Sequence, residues 1–129
     1  MSNWTHVAAI ARIDHLRLIG DIDFEKVFGR MLDPNNPDDW EEYHASPGRF
    51  LPCGSEGSLY MTVWADENTS SLAAYTVSIF GDLRDHDSPD EIVEWFKDKL
   101  EPLCVRNACI TVYNEWYGTR FWHDDGYKD

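Results

Sequence analysis

Residues 59–83 read LYMTVWADENTSSLAAYTVSIFGDL, and this stretch decides the fold. Two apolar runs, Leu59–Ala65 and Leu72–Leu83, are rich in β-branched and aromatic residues and flank the short polar segment DENTSS. Runs of this length and composition predict β-strands, and a short polar link between them predicts a turn. The stretch therefore predicts an antiparallel β-hairpin in the middle of the chain.

The segments on either side of the hairpin each add a strand and a helix. Before it, Trp4–Asp14 alternates as a strand does, and residues 23–32 place apolar side chains at helical spacing. After it, Ser88–Leu100 opens with Ser-Pro-Asp-Glu, which predicts a capped helix, and Ala108–Trp116 predicts another strand. The order is therefore β, α, β, β, α, β.

Two shorter segments allow further elements. A short helical turn over Pro37–Tyr43 can follow the residues DPNN, which end the first helix. Gly118 allows a turn that returns the chain as a short strand through Phe121 and Trp122. No internal repeat or low-complexity segment interrupts the main order.

This order predicts an α+β protein with a ferredoxin-like βαββαβ sandwich, in a single domain over residues 1–129. Four antiparallel strands would carry both helices on one face and leave the other face of the sheet bare. The chain contains 6 Trp, 6 Tyr and 6 Phe, which is too many large rings to bury completely. Because a bare sheet rich in rings is usually covered by another surface, we expect a homodimer.

The charge of the chain narrows the choice of partners. It has 24 acidic against 11 basic residues and a formal net charge of −13. Nucleic-acid binding needs cations that displace counterions from phosphates, so we expect no direct binding to DNA or RNA. An anionic membrane surface is disfavoured for the same reason. The same charge suits a protein that docks on a basic surface of another protein.

The start of the chain and its cysteines bear on its compartment. The first residues, MSNWTHVAAIARID, are polar and include Arg12 and Asp14, unlike a signal peptide. No apolar stretch approaches the length of a membrane span. Cys53, Cys104 and Cys109 form an odd set without CxxC spacing, which favours reduced thiols. We therefore expect a cytoplasmic protein.

The segment GSEGS, residues 54–58, has the composition of a phosphate-binding loop without its full pattern. A P-loop needs a lysine and a following helix, and neither is predicted here. The spacing also differs from the GxSxG pattern of a nucleophile elbow. We favour a tight loop that enters the second strand. The alternative is a backbone N–H nest for an anionic ligand such as a nucleotide, formed by Gly54, Ser55, Gly57 and Ser58.

Patterns for catalysis or metal binding are weak. Cys53 has no histidine at a recognisable spacing to activate it, although a small enzyme that uses Cys53 or a carboxylate stays as a second alternative. Asp85 and Asp87 match the first two ligands of a calcium loop, but Pro89 occupies the next ligand position and the glycine is missing. Their place before a helix is explained by favourable charge at its N-terminus. We expect neither a metal nor a cofactor.

Acidic residues interleaved with aromatic rings are the remaining feature. Rings supply anchor area at interfaces, and acids select a basic partner and accelerate its association. A solvated acidic surface with ordinary core rings explains the same composition equally well. The residues predicted to bind a partner are Asp38, Asp39, Trp40, Glu41, Glu42, Asp85, Asp87 and Trp122.

The stretches WTHVAAIARID, PCGSEGSLYMTVW and AAYTVSIFGDLRD together resemble small uncharacterised proteins encoded in phages and prophages of gut and other Gram-positive bacteria. The resemblance names no catalytic residue. It implies a cytoplasmic setting in a bacterial host. By analogy, small acidic phage proteins are often inhibitors of host defence, and some mimic nucleic acid.

The sequence thus predicts a non-enzymatic acidic interaction protein, encoded by a phage and inhibiting a host defence or nucleic-acid-binding protein. Its partner would offer a basic protein surface. The first alternative is an oligomer that binds or sequesters a small ligand such as a nucleotide. The second alternative is a small enzyme.

Overall fold

The computed structural model describes residues 2–16, 20–66 and 72–126. Five strands, three α-helices and one 3₁₀ turn make up the described part. In chain order they are β1 (Trp4–Leu16), α1 (Phe24–Phe28), α2 (Pro37–Ala45), the 3₁₀ turn Pro47–Arg49, β2 (Tyr60–Asp66), β3 (Leu72–Arg84), α3 (Pro89–Leu100), β4 (Cys104–Asn114) and β5 (Gly118–Asp124).

All five strands form one antiparallel sheet in the order β2-β3-β1-β4-β5. The first strand lies in the middle, where Ala9 pairs with Ile79 of β3 and with Ile110 of β4. The predicted hairpin is confirmed by the pairing of β2 with β3, in which Val63 lies opposite Val77. Most of its predicted turn, residues 67–71, lies outside the described residues.

The core lies between one face of the sheet and the helices. Alternate residues of the three central strands point to this face, so Ile13, Ile79 and Ile110 are fully buried. Phe28 of α1 and Phe96 of α3 pack against them, with ring centroids 6.4 Å apart. Burial of this face fixes the strand register, since a slip by one residue would turn every apolar side chain to solvent.

The third α-helix begins as predicted. The Ser88 hydroxyl accepts a hydrogen bond from the Glu91 amide at 3.4 Å, and Pro89 occupies the first helical position. Its buried stripe is formed by Ile92, Val93, Phe96 and Leu100.

The helix predicted over residues 23–32 is wrong in its length. It ends at Phe28 because Gly29 adopts φ +114°, where a side chain is strained. A Cβ at Gly29 would also overlap the backbone of Phe50 and Leu51. Beyond the helix, the Arg30 amide donates to the Arg49 carbonyl, and the Arg30 carbonyl accepts from the Leu51 amide.

The predicted ferredoxin-like sandwich of four strands and two helices is wrong. The sheet has a fifth strand, because Gly118, at φ +83°, turns the chain back and Gly118–Asp124 pairs along β4. A third helix, α2, is present because the Asn36 side chain accepts a hydrogen bond from the Asp38 amide and caps it. The protein is mostly sheet, with three short helices.

Within the described ranges, no helix is long and apolar enough to cross a membrane.

Candidate functional site

The face of the sheet opposite the core is open and aromatic. Strand alternation points every second residue of β1 away from the helices, and the register aligns its neighbours in rows. One row runs straight across the sheet from Tyr60 through Phe80, Ala8 and Thr111 to Phe121. We call this surface the open face, and its exposed large apolar side chains are Ile10, Tyr60, Trp64, Phe80, Tyr113 and Phe121.

Ring contacts between strands hold these side chains in place. Tyr60 stacks on Phe80 with centroids 6.0 Å apart, and Tyr113 stacks on His6 at 5.9 Å. Trp64 on β2 and Phe121 on β5 lie at opposite edges of the sheet and are 59% and 61% exposed. Rings fixed on a rigid sheet lose little conformational entropy when a partner covers them, so they suit binding.

The open face is about as large as the largest apolar patch on a typical monomer. With about 4.8 Å between strands and about 3.3 Å per residue, five strands of seven residues cover roughly 400 Å². The largest apolar patch on a typical monomer covers about 300–600 Å², and such patches are often functional. Threonines and serines between the rings keep this face from being purely apolar.

Charged side chains are unevenly placed around the open face. At one end, Nδ1 of His6 lies 2.6 Å from Asp82, and its Nε2 lies 4.0 Å from Glu115. At the other end, Arg106 pairs with Asp14 at 3.1 Å. The end beside Tyr113 is therefore acidic, and a partner that covers it must supply positive charge.

Arg12 is a cation on the open face. It is half-buried in the row between Thr76 and Asn107. Its Nε atom is buried and has no hydrogen-bond partner among the described residues. Arg12 lies six residues along β1 from His6, toward the end of the face where Arg106 pairs with Asp14.

Asp39 and Glu42, predicted to bind a partner, are engaged inside the molecule. The Arg30 guanidinium donates to Asp39 at 2.9 Å and to Glu42 at 2.6 Å. The second Asp39 oxygen accepts from the Asp33 amide at 2.9 Å, and the residue is only 7% exposed. The hydrogen bond from Arg30, and then that from Asp33, lowers the pKa of Asp39. These contacts fix α2 to the preceding segment, while Asp38 and Glu41 on the same helix are exposed.

Asp85 and Asp87 anchor the beginning of the chain. The Asp85 amide donates to the Asn3 carbonyl at 2.6 Å, and its carboxylate accepts from the Ser55 hydroxyl at 2.9 Å. The Ser55 hydrogen bond, followed by the Asn3 amide, lowers the pKa of Asp85. Asp87 accepts from the Asn3 side chain at 2.9 Å. Both acids therefore have a local structural role.

The two predicted tryptophan anchors lie away from the open face. Trp40 is half-buried, donates to the Pro34 carbonyl at 3.0 Å and packs edge-on against Tyr43. Trp122 is half-buried on the helix side of the sheet, where it meets Phe96 edge-on at 6.3 Å. Its neighbour Phe121 is the residue that points to the open face.

The loop at residues 54–58 packs tightly against the end of β3. A Cβ at Gly54 would overlap the Arg84 carbonyl, and a Cβ at Gly57, which has φ +80°, would overlap the Asp82 carbonyl. The Gly54 and Ser55 amides donate to the carbonyls of Gly57 and Arg84. Since these two amides are already used, they are not free to hold an anion, and packing alone accounts for both glycines.

Trp40 and this loop line the same cleft, which has a volume of about 300 Å³. Tyr60 closes the other side, so the cleft adjoins the open face at the start of β2. Its wall is mostly apolar, and the lining residues are Met31, Leu32, Pro34, Trp40, Gly54, Ser55, Glu56, Gly57, Ser58 and Tyr60. Its Glu56 carboxylate pairs with Arg84.

Cys53 is a buried packing residue beside Tyr43. The hydrogen bond with Cys53, together with burial, raises the pKa of Tyr43 to about 12. Cys53 joins Leu32 and Phe50 in a small apolar cluster. Burial among apolar groups gives no support for a thiolate nucleophile. Across residues 2–16, 20–66 and 72–126, no group of three or more His, Cys, Asp or Glu side chains is placed to hold a metal ion.

The sequence did not identify the residues of the open face. Their alternation along the strands was its one signal for them. Phe80 directly follows the core residue Ile79, and Phe121 directly precedes the half-buried Trp122. Period-two alternation alone assigns each pair to opposite faces. Choosing which member faces solvent required knowledge of which face α3 covers.

No protein-family model, curated protein or solved structure matches this chain. The resemblance to phage-encoded proteins therefore stays a prediction.

Proposed function

We propose that this chain is a non-enzymatic binding protein that docks its open face on a basic surface of a partner protein. The observation that carries the proposal is a rigid sheet face with six exposed large apolar side chains, in a chain of net charge −13. The rings act as anchors, and the charge selects the partner and accelerates its association.

A protein partner fits this surface better than a nucleic acid does. Aromatic side chains on sheet faces do stack on bases in RNA-binding domains. Such domains also supply cations for the phosphates, whereas here Asp82 and Glu115 lie beside the Tyr113 end of the face. Phosphates at that end would meet negative charge.

The resemblance indicates the kind of partner. If the chain is encoded by a phage, its partner is a basic host protein, and a nucleic-acid-binding or defence protein has the required charge. By covering that surface, the chain would act as an inhibitor. Asp38 and Glu41, which are exposed, then contribute long-range attraction rather than direct anchoring.

The test is affinity capture from lysate of a bacterial host, with Phe121→Ala as a second bait. We expect one basic protein to be retained by the wild-type chain, released by salt, and lost with the variant. Phe121 is exposed and at the far edge of the sheet, so its removal leaves the fold intact. Retention that survives Phe121→Ala, or no salt-sensitive protein at all, contradicts the proposal.

The cleft beside Tyr60 supports a second candidate function, the binding of a small ligand. Its volume of about 300 Å³ is at the lower end for ligand sites, and its apolar wall suits a ring. Thermal unfolding with a panel of nucleosides and nucleotides tests it. A ligand present at about 100 times its Kd adds about 2.7 kcal/mol of stability. A shift that Trp40→Ala removes supports this candidate, and an unchanged melting temperature across the panel rejects it.

A further inference from the structure

The two edge strands of the sheet, β2 and β5, differ in how far they are covered. On β5, exposed and half-buried residues alternate along the strand. Trp122 packs against Phe96 of α3, and Arg120 pairs with Asp90 of the same helix at 2.9 Å. Packing and charge therefore protect β5 from the addition of another strand.

The strand β2 is exposed on both of its faces. Trp64 is 59% exposed on the open face, and Val63 is 41% exposed on the helix side. In the described part of the chain, β3 is the strand neighbour of β2, and no strand lies on its other side. An edge strand presents a row of backbone N–H and C=O groups to an added strand. Residues 60–65, YMTVWA, contain no charge, proline or glycine that would discourage one.

A depression beside Val63, on the helix side of this edge, combines aromatic rings with acids. Phe24 and Tyr75 line it and lie edge-on to each other, with ring centroids 5.1 Å apart. Asp21 and Asp66 line it as well, and none of the described residues that line it is basic. A long cationic side chain suits such a surface, because its alkyl stem can lie on the rings while the acids attract its charged head.

We infer that β2 binds an extended segment of a partner protein as an added strand, and that a lysine or arginine of this segment enters the depression beside Val63. The charge selects this occupant. A second copy of the chain, with its net charge of −13, would be repelled from an acidic edge, and so would an acidic segment. A basic segment is attracted by the net charge of the chain and by Asp21 and Asp66.

An added strand is recognised through its backbone and its side chains together. Backbone hydrogen bonds to β2 give affinity, and alternate side chains of the segment point to the two faces of the sheet. Those on the helix side lie next to Val63 and Ala65, where the lysine or arginine reaches the depression. Those on the other side lie next to Trp64, where β-branched residues pair well with an aromatic ring. The segment therefore alternates β-branched residues and carries a cation on the helix side.

This inference rests on the proposed function for one point, the basic partner protein that would supply the segment. The edge of β2 can be tested without that partner. The probe is a capped seven-residue peptide that alternates threonine with valine and carries lysine at its centre. Its counterpart carries glutamate there. We expect saturable binding of the lysine peptide and about tenfold weaker binding of the glutamate peptide, since one charge is attracted by the acids and the other repelled.

Two matched variants test the place of binding. Val63→Lys and Thr119→Lys each add one cation to an exposed residue of an edge strand, β2 or β5, and change the net charge equally. Val63→Lys places a lysine of the chain itself beside the depression, so we expect it to weaken the lysine peptide by about tenfold. Thr119→Lys should bind within about twofold of the wild type.

A smaller change keeps the test available if Val63→Lys does not fold. Asp21→Asn removes one acid of the depression, and we expect about threefold weaker binding, as for an exposed ion pair. Asp98→Asn removes an exposed acid of α3 and should have no effect. Equal effects of the two substitutions would show that only the net charge matters, which overturns the inference.

Amide hydrogen exchange measures whether the peptide adds as a strand. With the lysine peptide at about ten times its Kd, amides of β2 that face the edge should exchange about tenfold more slowly, and those of β5 should not change. Binding without this protection, or no binding up to millimolar peptide, overturns the inference. So does binding that Phe121→Ala removes and Val63→Lys retains, since it would place the peptide on the open face.

Sedimentation of the chain without peptide tests the competing occupant. We expect a monomer in the wild type and in Val63→Lys. A dimer that Val63→Lys dissociates would show that a second copy occupies the edge, and would overturn the inference. The open-face proposal is tested separately by capture with Phe121→Ala, so the failure of one can be told from the failure of the other.

Discussion

The ring of Tyr60 lies against that of Phe80, with centroids 6.0 Å apart and planes inclined by 23°. These residues lie directly opposite each other on β2 and β3. Tyr60 also lines the cleft beside Trp40, so this pair joins the open face to the cleft that contains the glycine loop. The start of β2 therefore connects this cleft to the aromatic open face.

Phe121 and Trp122 are adjacent rings with opposite roles, and alanine substitutions should separate them. Trp122→Ala removes a half-buried ring that contacts Phe96, and we expect a loss of about 2 kcal/mol in the free energy of unfolding. Phe121→Ala removes an exposed ring, and we expect a change within about 0.5 kcal/mol. Urea denaturation measures both. A larger loss for Phe121→Ala would place that ring in the core.

The glycines of the chain offer a second matched pair. A Cβ at Gly54 would overlap backbone atoms of Arg84, whereas a Cβ at Gly48 would meet no atom within 4 Å. We expect Gly54→Ala to destabilise the fold by about 1–3 kcal/mol, because the neighbouring backbone must shift. Gly48→Ala should leave the free energy of unfolding within about 0.5 kcal/mol. Equal effects in denaturation would refute the packing explanation of the loop.

Acid should weaken the fold through Asp39. Its folded pKa is lowered by Arg30 and Asp33, so the unfolded chain binds this proton more readily. The stabilisation is complete above the ordinary pKa of about 3.9 and is lost as the pH falls through the lower folded value. The pH dependence of the free energy of unfolding in this acidic range should become shallower in Asp39→Asn. Asp38→Asn removes an exposed acid of the same helix and is the control. An unchanged slope in Asp39→Asn would show that the Arg30 contact does not form in solution.

The sequence correctly predicted the elements that are determined by residues close together in the chain. The Ser88 cap and the buried stripe of α3 follow from spacing within a dozen residues. The hairpin of β2 and β3 follows from composition and a polar link. Pairing of Gly118–Asp124 with β4 made the sheet five-stranded, and the sequence offered it only as an allowed extension.

Features that depend on distant contacts could not be predicted in this way. The short α1 results from the approach of Phe50 and Leu51 to Gly29, from 21 and 22 residues further along the chain. The sequence placed Asp39 in an acidic run and gave no sign that Arg30 pairs with it from the preceding segment. The place of Trp122 under α3 depends on which sheet face the helix covers. In each case the outcome is decided by contacts between residues that lie far apart in the chain, and a short stretch of sequence does not reveal such contacts.

The central claim is that the open face binds the partner, and a titration of the captured partner tests it most directly. Trp64→Ala and Trp116→Ala remove similarly exposed tryptophans, at 59% and 57%, but Trp116 lies in the turn between β4 and β5. We predict that Trp64→Ala weakens binding by about 30-fold, as loss of an anchor worth about 2 kcal/mol would, and that Trp116→Ala binds like the wild type. Phe121→Ala, on the edge opposite β2, should weaken it as well, because its exposed ring lies on the same face of the sheet. Wild-type affinity in both Trp64→Ala and Phe121→Ala would contradict the account.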